Sequence, residues 1–530
     1  MNTSSEKLFS ILVPTALTAV AVGYYKYHHY RQGSKKASEE DNAASMDRET
    51  EASQPPPLPD TATAFDVIIV GAGPAGSTLA YFLAKSSVQK LKILLLERKT
   101  FPRVKFCGDA WCAPALDILE QMQWEPGISV LQELQRRKLC RPVQRGGFVS
   151  PYGHQCINQE TQYGSSQEIR TFAIKRVVAD EYLARAAARA GAHLRENCQA
   201  MVNQINFDST QQCWTVPCRP AEGHEALSQV VFQGRVLVAA DGATSYLARH
   251  LGIVTTQADA TCSHRYVQGG THAWTHADGV MFFNKAVLPG YSAIFRHAND
   301  DMYLGTYILP GGKATSRCLA AFERELVDRH PYVRRAFGQK SVAETTWRVG
   351  DGETGRLQSA PIRCGGEDRT YDRQFLVIGD AAGQTDPLTG EGIHTAMIAA
   401  QLAAQTIEDM FASRDFSTRA ASRYQTLWKM AFGNDFRWSA AAAWLIYRFP
   451  ILLDAACAYG RDTGQAFLDE FGLIMTGVKP KTAFLKPSLS LPIAWYLVKE
   501  IFWQYIWRCP PMIPTDIGLA VVAKQSGTSR

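Results

Sequence analysis

The sequence predicts an α/β protein built on a doubly wound, Rossmann-like parallel sheet, with an N-terminal transmembrane anchor and a helical C-terminal region. Three observations carry that expectation. Apolar, β-branched runs at Phe65–Val70, Val236–Ala240 and Phe375–Ile378 each end in a glycine or an acid, and small residues or a helical pattern follow. An uncharged run of 18 residues, Leu8–Tyr25, lies near the N-terminus. Beyond Arg414 the apolar residues recur at helical rather than alternating spacing.

The chain has 530 residues, of which 46% are hydrophobic and 20% charged. At about 150 residues per domain that allows three to four structural units. The composition excludes a disordered chain, a fibre and a small disulfide scaffold. A net charge of +6, from 56 basic and 50 acidic residues, is too small and too scattered for a nucleic-acid partner. The 12 cysteines form no CxxC pair, so they read as free thiols in a reducing compartment.

Residues 8–25 are expected to be the anchor. Tyr24, Tyr25 and Tyr27 mark its interfacial end, and Lys26, Arg31, Lys35 and Lys36 follow it. That charge bias places the catalytic body in the cytosol, most simply at the endoplasmic reticulum. Residues 26–62 are polar and contain Pro55, Pro56, Pro57 and Pro59, which reads as a flexible tether.

The first strand, FDVIIV, runs into Gly71, Gly73, Pro74, Ala75 and Gly76, written GAGPAG, and then into a helical stretch, STLAYFLAK. A second strand, KILLL, closes on Glu97 and Arg98. This is the strand–turn–helix–strand–acid unit of dinucleotide binding. The helix N-terminus offers N–H groups and a positive dipole end to a diphosphate, and Glu97 can accept from ribose hydroxyls. Two later stretches favour FAD over NAD. Asp241 and Gly379-Asp380 each follow a strand, where a carboxylate can meet a ribityl chain. The Gly390-Glu391-Gly392 turn with Ile393 lets backbone N–H groups face a flat ring.

Together these stretches resemble the glutathione-reductase-like FAD fold of p-hydroxybenzoate-hydroxylase type, and within it the geranylgeranyl reductase family. GDAAGQTDPLTGEGIHTAM, Gly379–Met397 with Pro387 inside it, is similar to that family's flavin-site signature. Phe101–Leu116 resembles its PRxKxCGG loop, Lys175–Leu183 its helix start, and Leu288–Phe295 its substrate wall. Asp109, Ala293, Arg296 and His394 depart from the family pattern.

The resemblance implies a discontinuous FAD-binding domain (63–120, 172–250 and 364–413). It also implies an inserted, mainly antiparallel substrate-binding domain (121–171 and 251–363); residues 414–530 read, from their own apolar pattern, as a helical part that could associate with a membrane. It implies reduction of C=C bonds in an isoprenoid chain, with hydride to one alkene carbon and a proton to the other. Cys107 then lies at the flavin face, Tyr291 shapes the lipid cavity or is core, and His394 can titrate beside the ring. Arg103 and Arg176 are candidates to meet flavin phosphates or the electron donor. No second GxGxxG is present, so NADPH is expected to dock transiently. No metal site is expected.

Pro492–Trp507 is almost all apolar, with Lys499, Glu500 and Gln504 at helical spacing, and it is expected to face lipid or pack on the body. Two other functions share these residues: an FAD-dependent monooxygenase acting on a lipophilic substrate, and a non-enzymatic prenyl-binding escort.

Overall fold

The computed structural model describes residues 63–157, 171–221, 229–267, 277–311, 314–337, 347–348 and 358–525. The expected anchor (8–25) and tether (26–62) lie outside the described residues.

The first sheet has nine strands. Its parallel core runs His193–Arg195, Ile93–Leu96, Ala64–Val70, Val230–Ala239 and Phe375–Val377. Strand Ala64–Val70 is covered on both faces, which is why it reads as an unbroken apolar run. Val67 and Ile69 pack toward the helices Pro74–Ala84, Arg176–Ala190 and Ile393–Ser413. Ile68 packs on the opposite side, with Trp214, Leu237 and Phe375. The long strand Val230–Ala239 forks. Its first half pairs antiparallel with Cys213–Arg219, and its last three residues pair parallel with Phe375–Val377.

The second sheet has eight strands, antiparallel except where Gly279–Phe282 runs parallel to Gly146–Val149. One face carries the helices Leu319–Arg329 and Pro331–Ala336, packed on Val280, Ile294, Met302 and Leu304. The other face presents Tyr291, Ala293 and Tyr307.

The inserted region begins later than residue 121. Helices Ala113–Gln121 and Val130–Arg136 place Leu116, Leu119, Val130, Leu131 and Leu134 in the core of the first sheet. Ser129 and Gln132 start the second of these helices with a reciprocal capping box. Among its described residues, 146–149 and 155–157 enter the second sheet.

Six α-helices between Thr418 and Gln525 form the C-terminal part, with π-turns at Lys429–Gly433 and Phe502–Ile506. Among the described residues no single helix is long and apolar enough to cross a membrane. One helix pair, bent by 98° between Arg448 and Ile451, meets that test by length and composition.

Candidate active site

The turn after the first strand divides its glycines by task. A Cβ on Gly71 would lie 2.3 Å from the Ala240 carbonyl oxygen, and one on Gly76 would lie 1.9 Å from the Gly71 oxygen. Both therefore serve close packing. At Gly73 the nearest atoms to such a Cβ are guanidinium nitrogens of Arg103 and Arg176, each 4.0 Å away. No packing demand explains this glycine; the space before it is open. The helix behind it begins with Pro74, which has no N–H, and no side chain caps it.

That space belongs to a cavity of about 540 Å³. Gly71, Gly73, Pro74, Ala75, Glu97 and Arg98 line its parallel-sheet side, with Asp241 and Asp380 at strand ends. Gly390, Glu391, Gly392, Ile393 and His394 line it at the second turn. Cys107, Tyr291, Ala293, Phe295 and Tyr307 complete the wall toward the second sheet. Gly76, Gly379 and Pro387 are not on the wall. Gly379 lies against Ala75, where a Cβ would come within 2.8 Å, and Pro387 is buried behind the turn.

The two arginines stand beside Gly73, but carboxylates hold them. Arg103 Nε is 3.0 Å from Glu97 Oε2 and its Nη1 is 3.0 Å from Asp180. Arg176 donates to Asp180 from Nε at 2.5 Å and from Nη2 at 2.9 Å. Asp180 is fully buried, and these guanidinium groups hold its carboxyl below the usual range against the opposing cost of burial. Asp241 is partly committed as well: it accepts from Ser245 Oγ at 2.8 Å and from the Leu247 N–H at 3.1 Å.

At the second turn, Gly392 caps the long helix Ile393–Ser413 without any side-chain partner. A Cβ there would meet Thr385 Oγ1 at 2.7 Å. Glu391 stands on the wall with its side chain 29% exposed. Burial pushes its carboxyl up to about 7, with Lys481 opposing and Asp386 adding to the rise. Burial, with Lys481, holds the His394 imidazole down at about 4. Both causes favour the neutral imidazole. Its Nδ1 lies 3.3 Å from Cys112 Sγ. The Cys112, Glu391 and His394 donor atoms fall within 4.8 Å of one another, a grouping the sequence reading did not foresee.

Cys107 is held by its backbone: His264 Nδ1 lies 3.3 Å from its N and 3.2 Å from its O. Burial raises the thiol, partly opposed by Arg176. Two residues on, Asp109 is fully buried and takes the left-handed conformation, φ 57°. It accepts from the Arg176 N–H at 3.1 Å and from the Tyr266 hydroxyl. Burial pushes its carboxyl up to about 7 despite these bonds. Gly108 leaves room for Tyr307 Oη, which is 3.1 Å from Tyr303 Oη, and the Tyr307 ring stacks on Tyr291 with centroids 4.9 Å apart. Arg296, another departure, ends the interior strand Gly290–Arg296, with its Nη2 3.5 Å from Asp300.

Sequence reasoning missed Lys481, Asp180, His264 and Tyr307. Asp180 is the acid of the matched Lys175–Leu183 stretch, four residues after Arg176, and that spacing was the available signal; Tyr307 follows the matched substrate wall. Lys481 lies 90 residues beyond Glu391 and carried none.

Two uncapped helix N-termini opening on one cavity, open space before Gly73 and carboxylates at strand ends fit a dinucleotide with a flat ring. Residues 64–410 match the family model described as an FAD binding domain. Over 456 residues the chain is 40% identical to conditioned medium factor receptor 1 of Dictyostelium discoideum, covering 85% of this chain and 83% of that protein. It is 27% identical to digeranylgeranylglycerophospholipid reductase 2 of Methanopyrus kandleri over 388 residues, 72% of this chain and 86% of that one. The geranylgeranyl bacteriochlorophyll reductase-like structure from Thermoplasma acidophilum superposes with TM-score 0.57 at 18% identity, over 88% of this chain and 99% of that one. The myxobacterial FAD-dependent chondrochloren halogenase does so with TM-score 0.56 at 18% identity, over 83% and 97%.

Proposed function

We propose, on the premise that the chain belongs to the FAD-binding domain family, that this flavoprotein oxidoreductase is a reductase of C=C bonds in an isoprenoid chain. Reduced FAD, when bound, supplies the hydride. The protein's own part is to hold the cofactor, seat the alkene and move a proton.

Gly73, Ala75 and the helix behind them would hold the diphosphate, and Glu97 the adenosine ribose. Asp380 and Gly390–Ile393 would hold the ribityl chain and ring. The observation that carries the reading is the continuity of one cavity from Gly73 through Gly392 to Met281, Tyr291, Ala293 and Phe295. An apolar chain against that sheet face lies next to the second turn. Ala293 keeps the face open where a larger side chain would fill it. Such a wall excludes water and can hold an alkene within about 3.5 Å of a reacting atom.

Glu391, with its carboxyl at about 7, can hold and release a proton on this wall near neutrality. Cys107 is the second candidate, its thiol held protonated by burial. NADPH, docking transiently, is the electron donor in this reading. The relation to a digeranylgeranylglycerophospholipid reductase supports the substrate class.

A second reading rests on the more similar relative, which is named a receptor: the chain would bind a ligand without turnover. Anaerobic incubation of the reduced holoprotein with a geranylgeranyl lipid separates the two. The reductase reading expects lipid heavier by two hydrogens per reduced bond. Unchanged lipid overturns it, and peroxide release on admitting air with a lipophilic substrate points to a monooxygenase.

A further inference from the structure

The helix Pro487–Ile501 and the π-turn after it are amphipathic the wrong way round for a water-facing surface. Two of their polar residues, Glu500 and Gln504, turn inward. Glu500 is 5% exposed and pairs with His154 Nε2 at 3.0 Å. Gln504 donates to Glu500 at 2.9 Å and to the buried Asp454 at 3.1 Å. Asp454 in turn accepts from the Tyr152 N–H at 2.9 Å. This corrects the expectation that Lys499, Glu500 and Gln504 share one side: only Lys499 lies outward.

The outward side carries Trp495, Phe502, Trp503, Tyr505, Ile506 and Trp507, all exposed; Tyr505 and Trp507 are 67% and 66% accessible. So many large apolar groups together in water mark an interaction surface.

We propose that this face seats in the headgroup–acyl boundary of a lipid bilayer. Its chemistry selects that partner. Lys499 Nζ lies 4.2 Å from the Tyr496 ring centroid and 5.8 Å from that of Trp495, and Arg508 is exposed beside Trp507. Tryptophan and tyrosine with flanking cations suit the bilayer interface, whereas lysine is depleted from protein–protein interfaces. Chain outside the described residues points the same way. Leu8–Tyr25 is an uncharged, apolar run of 18 residues, the length a membrane span needs. The inner side of the helix, through Leu489 and Ile493, joins the apolar cluster that contains Tyr291 and Tyr307. The docked face therefore lies on the substrate-sheet side of the molecule. The proposal does not depend on which reaction the site performs.

Tryptophan quenching tests it on the full-length protein, because Leu8–Tyr25 contains no tryptophan and three of the 11 lie on this face. The protein is mixed with vesicles of anionic and zwitterionic lipid, with and without bromine on the upper acyl chain. The proposal expects bromine-dependent loss of fluorescence. The W495F/W503F/W507F variant should lose most of that quenching while still floating with the vesicles. The single Trp507→Phe variant, at an exposed site, should lose part of it and guards against misfolding of the triple variant. Floating protein whose fluorescence ignores bromine overturns the proposal, as does equal quenching in wild type and variants. A bromine-insensitive protein that sediments as a dimer instead assigns the face to a second copy.

Discussion

Replacing Gly73 by alanine should separate folding from cofactor binding. In the apoprotein the added methyl meets nothing closer than 4.0 Å, and the residue sits at φ −81°, ψ −171°, which alanine adopts readily. Two small terms oppose each other. Lower entropy of the unfolded chain stabilises by about 0.4–1 kcal/mol, and alanine is a poorer helix N-cap than glycine by a similar amount. Apoprotein stability should therefore stay within about 1 kcal/mol of wild type.

Binding should behave differently. A phosphate drawn up to the N–H groups behind Gly73 would meet the methyl, and losing one charge-assisted hydrogen bond costs about 1.5–3 kcal/mol. That weakens FAD roughly 10- to 150-fold. Gly76→Ala is the contrast, because its Cβ would lie 1.9 Å from the Gly71 oxygen and the turn itself must shift. It should destabilise the apoprotein. The assay is thermal unfolding of the apoproteins beside an FAD titration followed by flavin fluorescence. Wild-type FAD affinity in Gly73→Ala would refute the reasoning, as would an apoprotein destabilised as much as Gly76→Ala.

Other outcomes follow from the buried charges. Asp109 has a folded-state value near 7, above the unfolded 3.8, so its contribution to stability is complete below about pH 4 and is lost as pH rises toward 7. Asp109→Asn removes that dependence. Relative to wild type the variant should gain on the order of 2–3 kcal/mol between pH 5 and pH 8 in urea unfolding, and a parallel pair of curves would contradict the assignment. Lys481, 4% exposed, lies 3.4 Å from Asp386 and 3.5 Å from Asp435. Lys481→Met should cost about 3–5 kcal/mol by leaving the buried Asp386 carboxylate without its cation, read as a lower denaturant midpoint. Gly108→Ala would place a Cβ 2.1 Å from Tyr307 Oη; it should displace that ring and lower lipid turnover more than FAD affinity.

What could be read from the sequence was local. GAGPAG, its strands and Glu97 announce themselves because a tight turn, a diphosphate and a sheet buried on both faces each constrain neighbouring residues. Gly390–Gly392 is legible for the same reason. Helix Val130–Arg136 reads from the sequence as part of the inserted domain yet packs in the core of the first sheet, because a short apolar piece does not declare which core it joins. The Cys112–His394 contact spans 282 positions and Lys481 reaches Glu391 from the C-terminal helices, so no local pattern could bring them together. Asp109 stood out as a departure from a glycine, but its burial and its bond from Tyr266 come only with the fold.

The central claim is that isoprenoid alkenes oxidise this protein's reduced flavin. The direct measurement is anaerobic stopped-flow mixing of the reduced holoprotein with a geranylgeranyl lipid, and separately with its fully saturated counterpart, following flavin absorbance. The account predicts that oxidised-flavin absorbance returns with the unsaturated lipid and not with the saturated one. Flavin that stays reduced with both lipids, yet is reoxidised rapidly by oxygen, would contradict it.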